Sequence, residues 1–285
     1  MSEIGKDLKL ALQYLLPHRF VSRLIYYITR IRWAPFKNLF IRQFAKRFRI
    51  DWSDAVSANP ADYEHFNAFF TRALKPGTRP LAAGDDVLLC PADGAISQCG
   101  AVTAGRILQA KGMDYSVAEL LADDTLAQRF AHGSFATVYL SPRDYHRIHM
   151  PIAGTLLETL HIPGRLFSVA TWTAERIPRL FARNERLVCV FDTPQGWIAQ
   201  VLVGAINVSS IETVWSGVVT PPYAAKVVRS EQRGRGTTIA LDRGAEMGRF
   251  NMGSTVIIVS EKPLDFACGA ADPVRMGQKL ATFRS

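Results

Sequence analysis

The chain has 285 residues, 48% of them hydrophobic and 21% charged, which is enough apolar material to bury a core and excludes a disordered or collagen-like protein. No stretch of the sequence reaches the roughly 18 uninterrupted apolar residues of a membrane-spanning helix. The formal net charge of +9 comes entirely from residues 1–50, which hold 11 Lys and Arg against 2 acidic residues, whereas the rest of the chain holds 23 of each.

The basic segment predicts three amphipathic helices. Apolar positions recur in it at helical spacing, and Pro17 and Pro35 interrupt the pattern. The predicted helices cover residues 4–16, 19–33 and 36–48. Each of the last two has an apolar stripe, formed by Phe20, Leu24, Tyr27 and Ile31 in the second helix and by Phe36, Phe40, Phe44 and Phe48 in the third.

Large aromatic side chains flanked by cations are typical of helices that lie in the headgroup layer of an anionic membrane. In the third helix the flanking cations are Lys37, Arg42, Lys46, Arg47 and Arg49. Two other interpretations remain, a packed helical subdomain with a solvated basic face and a nucleic-acid-binding segment. No recognised nucleic-acid-binding motif accompanies the charge, so we expect peripheral membrane attachment and no nucleic-acid partner.

Beyond residue 50 the pattern changes to short strands bounded by Gly, Pro or Asp. A short helix is predicted over 61–74, a turn-rich connector over 75–80, and one further helix over 116–122, where Ser116 and Glu119 form a capping-box pattern. The predicted strands are Val87–Cys90, Ala95–Gln98, Phe135–Leu140, Thr155–His161, Arg186–Phe191, Trp197–Val208, Thr237–Leu241 and Thr255–Val259.

This pattern predicts an α+β fold. A β-rich, largely antiparallel catalytic domain over 51–285 follows the amphipathic helical segment 1–50, because regular βαβ alternation is absent. Four cysteines show neither C-x-x-C nor zinc-ribbon spacing, and the N-terminus shows no cleavable signal pattern. We therefore expect reduced thiols in a cytosolic environment.

Three clusters combine reactive side chains with Gly and Pro. The first is Pro91-Ala92-Asp93-Gly94, which by itself is typical of a hairpin turn. The second runs from Tyr139 to Pro151 and holds His146 and His149 three residues apart. No H-E-x-x-H pattern or carboxylate-rich partner supports a metal site there, so the pair suits a general base and a proton donor.

The third cluster, residues 244–256, places Gly253-Ser254-Thr255 before a strongly apolar strand. On its own this tripeptide is an ordinary loop sequence. It also lacks the G-x-S-x-G pattern of the nucleophile elbow in α/β-hydrolases.

Taken together, these segments resemble the signature segments of bacterial phosphatidylserine decarboxylases. The resemblance runs from about residue 60 to residue 260 and rests most on Pro91–Gly94, Tyr145–Pro151 and Glu246–Thr255. Shorter matches occur in the family's order at Lys111-Gly112, Tyr115-Ser116, Asn207-Val208 and Thr220-Pro221-Pro222. Met252 stands where many members have leucine, a volume-conserving difference.

The resemblance implies a proenzyme that cuts itself between Gly253 and Ser254. His149 takes the proton from Ser254, and Asp93 orients and stabilises the imidazolium that forms. Attack on the Gly253 carbonyl produces an ester, and β-elimination leaves a β chain of residues 1–253 and an α chain of residues 254–285. Ser254 becomes an N-terminal pyruvoyl group.

The same resemblance implies that this covalent pyruvoyl group is the only cofactor, with neither pyridoxal phosphate nor a metal. Its ketone forms a Schiff base with the amine of phosphatidylserine and acts as the electron sink for decarboxylation to phosphatidylethanolamine. His146 is the candidate proton donor to Cα after carbon dioxide leaves.

The implied partners are phosphatidylserine in an anionic bilayer and the paired α and β chains, with further dimerisation left open. The implied location is the cytoplasmic side of the cell membrane, as a peripheral protein. Two rival functions remain: a peripheral serine hydrolase that uses Asp93, His149 and Ser254 without cutting its own chain, and a non-enzymatic lipid- or nucleic-acid-binding protein.

Overall fold

The computed structural model describes residues 3–110, 112–206, 210–232, 238–252 and 254–284. Gly253, the side chain of Ser254, and Lys111, Asn207 and Val208 of the shorter motif matches lie outside this description. The helices are α1 (Glu3–Leu15), α2 (His18–Ile28), α3 (Ala34–Phe48), a 3-10 turn (Pro60–Asp62), α4 (Phe66–Phe70), α5 (Val117–Leu121), α6 (Asp124–Arg129), α7 (Thr171–Ala174) and α8 (Leu180–Arg183).

Eighteen strands form the rest of the regular structure in the described ranges. They are β1 (Val87–Leu89), β2 (Gly94–Ala101), β3 (Arg106–Ala110), β4 (Met113–Ser116), β5 (Ser134–Leu140), β6 (Arg147–His149), β7 (Gly154–Ile162), β8 (Arg186–Thr193), β9 (Gly196–Val203), β10 (Ile211–Thr213), β11 (Gly217–Thr220), β12 (Val228–Glu231), β13 (Ala240–Leu241), β14 (Glu246–Phe250), β15 (Ser254–Ser260), β16 (Leu264–Phe266), β17 (Pro273–Val274) and β18 (Lys279–Phe283).

A nine-stranded sheet forms the core of the β-rich domain. Its strands follow the order β12-β7-β8-β9-β15-β5-β2-β17, with β13 also pairing with β7. The pairs of β15 with β5 and with β9 are antiparallel, like the other strand pairs described. The predicted α+β, largely antiparallel fold is confirmed.

Strand β15 is central in this sheet because its sequence is apolar on both faces. Val256, Ile257, Ile258 and Val259 are all at most 1% exposed, and such a continuous run of β-branched residues suits a strand covered on both sides. Its first residue, Ser254, lies opposite Leu140 of β5. The predicted cleavage position is therefore at one end of a strand that is covered on both faces.

A four-stranded sheet of order β11-β10-β14-β6 brings the second and third sequence clusters together. Glu246 on β14 lies opposite His149 on β6. Smaller sheets contain β1, β18 and β16, and the β3–β4 hairpin. The Asp93-Gly94 pair is not a hairpin turn, since β1 and β2 belong to different sheets.

The two apolar stripes predicted for the N-terminal helices differ in their exposure to solvent. On α2 and just after it, Phe20, Leu24, Tyr27 and Ile31 are 38–68% exposed, as expected for a surface stripe. Two phenylalanines of α3 instead pack on α4: Phe40 stacks on Phe66 of α4 at 4.2 Å between ring centroids, and Phe44 contacts Phe66 and Phe70. The α3 stripe is therefore half-buried, because α4 offers it an apolar partner, and its contact with lipid stays a prediction.

Hydrogen bonds join these helices to the β-rich domain. The Gln13 side chain accepts from the Ser168 backbone N–H at 2.8 Å, and Arg165 donates to the Tyr14 carbonyl at 3.0 Å. None of the described helices is both long and apolar enough to span a bilayer.

Several predicted bounds differ from the structure. The helix expected over 61–74 is reduced to the 3-10 turn and α4, and the strand expected over Trp197–Val208 ends at Val203. The strand expected from Thr237 begins at Ala240 in the described part. The capping box is confirmed, since Ser116 Oγ accepts from Glu119 N–H and Glu119 accepts from Ser116 N–H.

Candidate active site

Asp93 lies between β1 and β2 and is held by a half-buried arginine, Arg79. Both of its carboxylate oxygens accept hydrogen bonds from Arg79, at 2.6 Å from Nη2 and 2.9 Å from Nε, and the Met276 N–H donates to Oδ1 at 2.9 Å. Arg79 also donates to Asp54 at 2.7 Å. These hydrogen bonds raise the pKa of Arg79 above its ordinary value. The bidentate clamp fixes the orientation of the Asp93 carboxylate.

His149 ends β6, and both of its ring nitrogens are engaged. Nδ1 lies 2.8 Å from the Gly244 carbonyl, and Nε2 lies 3.0 Å from the Tyr145 hydroxyl. A carbonyl oxygen can only accept, so Nδ1 carries the proton and Nε2 presents its lone pair to the Tyr145 O–H. This is the tautomer that a general base acting through Nε2 requires.

The environment keeps His149 neutral. Burial lowers its pKa below the ordinary histidine value, while its hydrogen bond to Gly244 and the charges of Glu246 and Asp93 act in the opposite direction. Asp93 therefore acts on His149 through its charge. Its own hydrogen bonds go to Arg79 and Met276, and the orienting contact at Nδ1 comes from Gly244.

The backbone brings the sequence clusters together. His149 N–H donates to the carbonyl of Pro91 at 2.9 Å, two residues from Asp93, and Phe250 N–H donates to the carbonyl of His146 at 3.0 Å. The segment ahead of Ser254 is anchored as well, because the Asn251 side chain bonds to Asn67 at 2.8 Å and to Ser210 Oγ at 2.9 Å.

His146 is fully buried beside this segment. Its ring stacks on Phe70 with centroids 4.1 Å apart, and its Nε2 lies 3.0 Å from the Ser141 carbonyl. Nδ1 is buried without a hydrogen-bond partner among the described residues. Burial, followed by the charge of Arg72, lowers the pKa of His146 to about 3. The ring is therefore neutral, with its proton on Nε2 and a bare Nδ1.

Met252 adopts φ +115°, a conformation that side chains other than glycine rarely take. It lies two residues ahead of Ser254, so the chain bends sharply before the predicted cleavage position. A strained backbone held by surrounding hydrogen bonds is typical of functional sites.

Two cavities flank the 139–146 segment. An apolar cavity of about 200 Å³ is lined by Phe44, Phe48, Phe70, Leu140 and Met252, among others. A polar crevice of about 530 Å³ is lined by charged residues and by Tyr145. Its lining includes Arg72, Arg79, Asp93, Arg143 and Asp144.

Sequence reasoning assigned no role to three residues that the structure places around Asp93 and His149. Arg79 occurs in a turn-rich connector, where no pattern distinguishes it. Tyr145 stands four residues from His149 inside the second cluster, and that closeness was the available signal, whereas Gly244 opens the third cluster, 95 residues away from His149. Across the described ranges, no group of three or more His, Cys, Asp or Glu side chains is arranged to hold a metal ion.

Comparison with known proteins gives a consistent result over most of the chain. The family described as "Phosphatidylserine decarboxylase" matches residues 66–282, and a second family described as "PSD" matches residues 8–49. Among curated proteins, the chain is 56% identical over 274 residues to the phosphatidylserine decarboxylase proenzyme of Pseudomonas aeruginosa, covering 94% of each protein. It is 55% identical over 282 residues to the proenzyme of the same name from Pseudomonas fluorescens, covering 96% of this chain and 97% of the relative.

Proposed function

The chain belongs to the phosphatidylserine decarboxylase family, and from that premise we propose that it converts phosphatidylserine to phosphatidylethanolamine and carbon dioxide after cutting itself between Gly253 and Ser254. The observation that best supports this proposal is that three segments distant in sequence come together in the fold. Asp93, His149 and the strand that begins at Ser254 are joined by the backbone contacts of Pro91 with His149 and of Leu140 with Ser254.

The surroundings of Ser254 fit a pyruvoyl group formed from that residue. An unpartnered polar atom, His146 Nδ1, is buried in the segment that pairs with Phe250, and Leu140 and Met252 line an apolar cavity. The pyruvoyl ketone supplies an electrophile for the substrate amine and an electron sink for the carboxylate that leaves.

Self-cleavage needs a base, and His149 is prepared for that role. A serine hydroxyl is a weak nucleophile until a neighbouring base takes its proton. Neutral His149 keeps Nε2 unprotonated, with its lone pair accepting from the Tyr145 O–H, and the negative charge of Asp93 favours the imidazolium that forms when Nε2 takes a proton.

His146 is our proposed proton donor for decarboxylation. Its neutral ring carries one proton on Nε2 and none on Nδ1, so Nδ1 must first take a proton that originates from solvent before it passes that proton to Cα, and the ring is neutral again afterwards. Burial disfavours the charged ring, so a proton placed there is readily released to a carbanion. Stacking on Phe70 holds the ring in one orientation for that transfer.

A diacyl substrate accounts for two apolar features, the cavity beside Met252 and the exposed side chains of α1 and α2. The apolar cavity connects side chains of α3 with Met252 beside the cleavage position, which suits an acyl chain. Exposed apolar side chains on α1 and α2 (Leu12, Leu15, Phe20, Leu24 and Tyr27) would enter the headgroup layer of an anionic bilayer. We therefore propose peripheral attachment through segment 1–50 at the cytoplasmic face, with the α and β chains remaining associated.

The decisive test is an intact mass spectrum of the purified protein together with a decarboxylation assay. We expect a β chain of residues 1–253 and an α chain whose first residue is a pyruvoyl group. Ser254→Ala abolishes both cleavage and decarboxylation, whereas Ser260→Ala at the far end of the same strand serves as the matched control and still matures. A single full-length chain with esterase activity would establish the hydrolase alternative instead.

A further inference from the structure

We propose that a second apolar cavity, at the edge of the nine-stranded sheet beside α2, binds one acyl chain of an anionic phospholipid, with the lipid phosphate on Arg19 and Arg23. This inference rests on the proposed membrane attachment, since the lipid comes from the bilayer that α2 contacts. It goes beyond the proposed function by assigning a lipid site apart from the cavity beside Met252. Among the described residues, the two cavities have no lining residue in common.

The cavity has a volume of about 380 Å³, which lies within the range of small-molecule binding pockets. One wall is the sheet edge, where Thr159 of β7 lies opposite Ser230 of β12. Two residues along each strand, His161 lies opposite Val228, so these four side chains share one face of the sheet. The second wall comes from residues 215–224.

The second wall contains a motif to which the proposed function gives no role. Pro222, which lines the cavity, ends the Thr220-Pro221-Pro222 match. A proline has no backbone N–H, so this wall presents apolar rings and no donor at two successive residues. Trp215 and Val219 add further apolar side chains to the same wall. Such a lining suits a hydrocarbon chain better than a polar ligand.

Apolar side chains around the cavity remain in solvent. Val214, Val218, Val227 and Val228 are 41–51% exposed. Val228 lines the cavity, and each of the others is next in sequence to a lining residue. Apolar patches that stay exposed mark surfaces that contact a membrane or another protein, so this part of the β-rich domain has a partner to account for.

The charges beside the cavity identify that partner as an anionic lipid. Arg19 of α2 donates to the carbonyl of Ala224 at 3.3 Å, and its guanidinium lies 5.8 Å from the centroid of the Tyr223 ring. Burial and the charge of Glu185 raise the pKa of Tyr223, whereas the charges of Arg23 and Arg19 lower it, so both arginines lie near this ring. Both are exposed, and no carboxylate of the described residues forms a salt bridge with either.

A buried carboxylate behind the sheet wall sets the orientation of the lipid. His161 lines the cavity, and its Nε2 lies 2.9 Å from Oε1 of Glu185, which is 1% exposed. This carboxylate repels a phosphate and leaves an uncharged acyl chain unaffected. The phosphate therefore belongs at Arg19 and Arg23, and the chain along the apolar lining. Because α2 also carries the exposed apolar stripe, the cavity lies beside the helix that is proposed to enter the headgroup layer.

The test uses the full-length protein on vesicles of constant charge. Both preparations contain phosphatidylcholine with a small fraction of phosphatidylglycerol, and bromine is placed on the acyl chains of either the phosphatidylglycerol or an equal amount of phosphatidylcholine. Bromine quenches tryptophan fluorescence on contact, and the signal of Trp215 is the difference between wild-type and Trp215→Phe protein. Each cation near a membrane favours an anionic lipid roughly fivefold, so brominated phosphatidylglycerol should quench Trp215 at least about fivefold more strongly.

Two double variants separate the site from general attraction to the membrane. Arg19→Gln with Arg23→Gln should make the two brominated vesicles quench Trp215 equally. Arg42→Gln with Arg47→Gln removes the same charge from exposed positions on α3 and should keep the difference between the vesicles. Quenching is compared at lipid concentrations at which flotation shows all of the protein to be bound.

A second measurement needs no substitution and therefore also covers a Trp215→Phe protein that fails to fold. Phosphatidylglycerol with a photoreactive diazirine on one acyl chain is irradiated in vesicles that carry wild-type protein, and the cross-linked peptides are mapped. Adducts should fall within residues 215–230 as well as on α1 and α2.

Equal quenching of wild-type protein by both vesicles, or no cross-link within residues 215–230, would overturn the lipid site. Dimerisation that shields Trp215 without lipid would overturn it in favour of a second copy of the chain. These results leave the proposed reaction intact as long as wild-type protein yields the pyruvoyl α chain and decarboxylates phosphatidylserine. If wild-type protein stays uncut, the proposed reaction fails, while quenching and cross-linking still report on the lipid site.

Discussion

The exposed stripe of α2 offers the sharpest test of membrane attachment. Replacing Phe20, Leu24 and Tyr27 together by serine removes apolar surface that the structure leaves in solvent. The matched control replaces Phe40 and Phe44 on α3, which the structure packs against α4. Both sets form apolar stripes at the same helical spacing in the sequence. A difference between them in membrane binding therefore depends on the tertiary arrangement alone.

The expected loss of binding can be worked out from exposure. Phe20 and Tyr27 are 68% and 65% exposed, and Leu24 is 50% exposed. Each of the two aromatic side chains, at about 150–250 Å², then presents roughly 100–150 Å² to lipid. At about 25 cal/mol per Å² this surface contributes about 3 kcal/mol for each aromatic side chain if it is fully buried. An interfacial helix buries about half of such a surface. Half burial of Phe20 and Tyr27 together contributes about 3 kcal/mol, and Leu24 adds about 1 kcal/mol. The triple substitution therefore weakens membrane binding by about 4 kcal/mol, or roughly 1000-fold in affinity.

The assay is flotation with vesicles that contain anionic lipid, at two salt concentrations, with α-chain appearance measured in parallel. The triple variant should bind far more weakly but keep the salt dependence, because its cations are unchanged and their attraction is screened within about 8–10 Å at 0.1–0.15 M. It should still cut itself. The α3 variant should lose folding stability before it loses lipid affinity. Unchanged flotation of the triple variant would refute the attachment surface and favour a helical subdomain.

Three other changes address the site. Arg79→Met leaves Asp93 and Asp54 without their cation and should lower the free energy of unfolding by about 3 kcal/mol, as measured by urea denaturation; a loss below about 1 kcal/mol would contradict the clamp. Because the pKa of His146 falls to about 3 in the folded chain, the unfolded chain binds an extra proton between about pH 6.5 and 3. The His146 share of folding stability should therefore be full above that window and fall as pH drops through it, by up to about 1.4 kcal/mol per pH unit. His146→Asn should make the pH dependence of thermal unfolding shallower by that share, leaving the part that comes from His149 and other buried histidines, and an unchanged pH dependence would contradict the assignment. Gly244→Ala places a side chain at φ +80° and should lower stability by about 1 kcal/mol or more and slow α-chain appearance; cleavage at the wild-type rate would show that the Gly244 carbonyl does not hold His149.

Local patterns predicted the elements with strong periodicity or clear end signals. Strands β5, β7, β8 and β15 were found within one or two residues, because their β-branched runs are bounded by turn residues. Short strands such as β6, β10 and β17 were missed, since two or three residues carry no detectable period. Their pairing is decided by partners distant in sequence, for example Val274 with Gly94.

The sequence by itself determined which residue types are available for chemistry and roughly where they lie. Asp93, His146, His149 and Ser254 stand in recognisable local patterns, and local patterns persist whatever the tertiary structure. The tertiary structure decided which hydrogen bonds these side chains make. Arg79 donates to Asp93, the Gly244 carbonyl sets the tautomer of His149, and the Tyr145 hydroxyl donates to Nε2 of His149. It also decided which aromatic stripe is exposed, because burial depends on the neighbour that packs against a helix face, and α4 covers α3 but leaves the α2 stripe open.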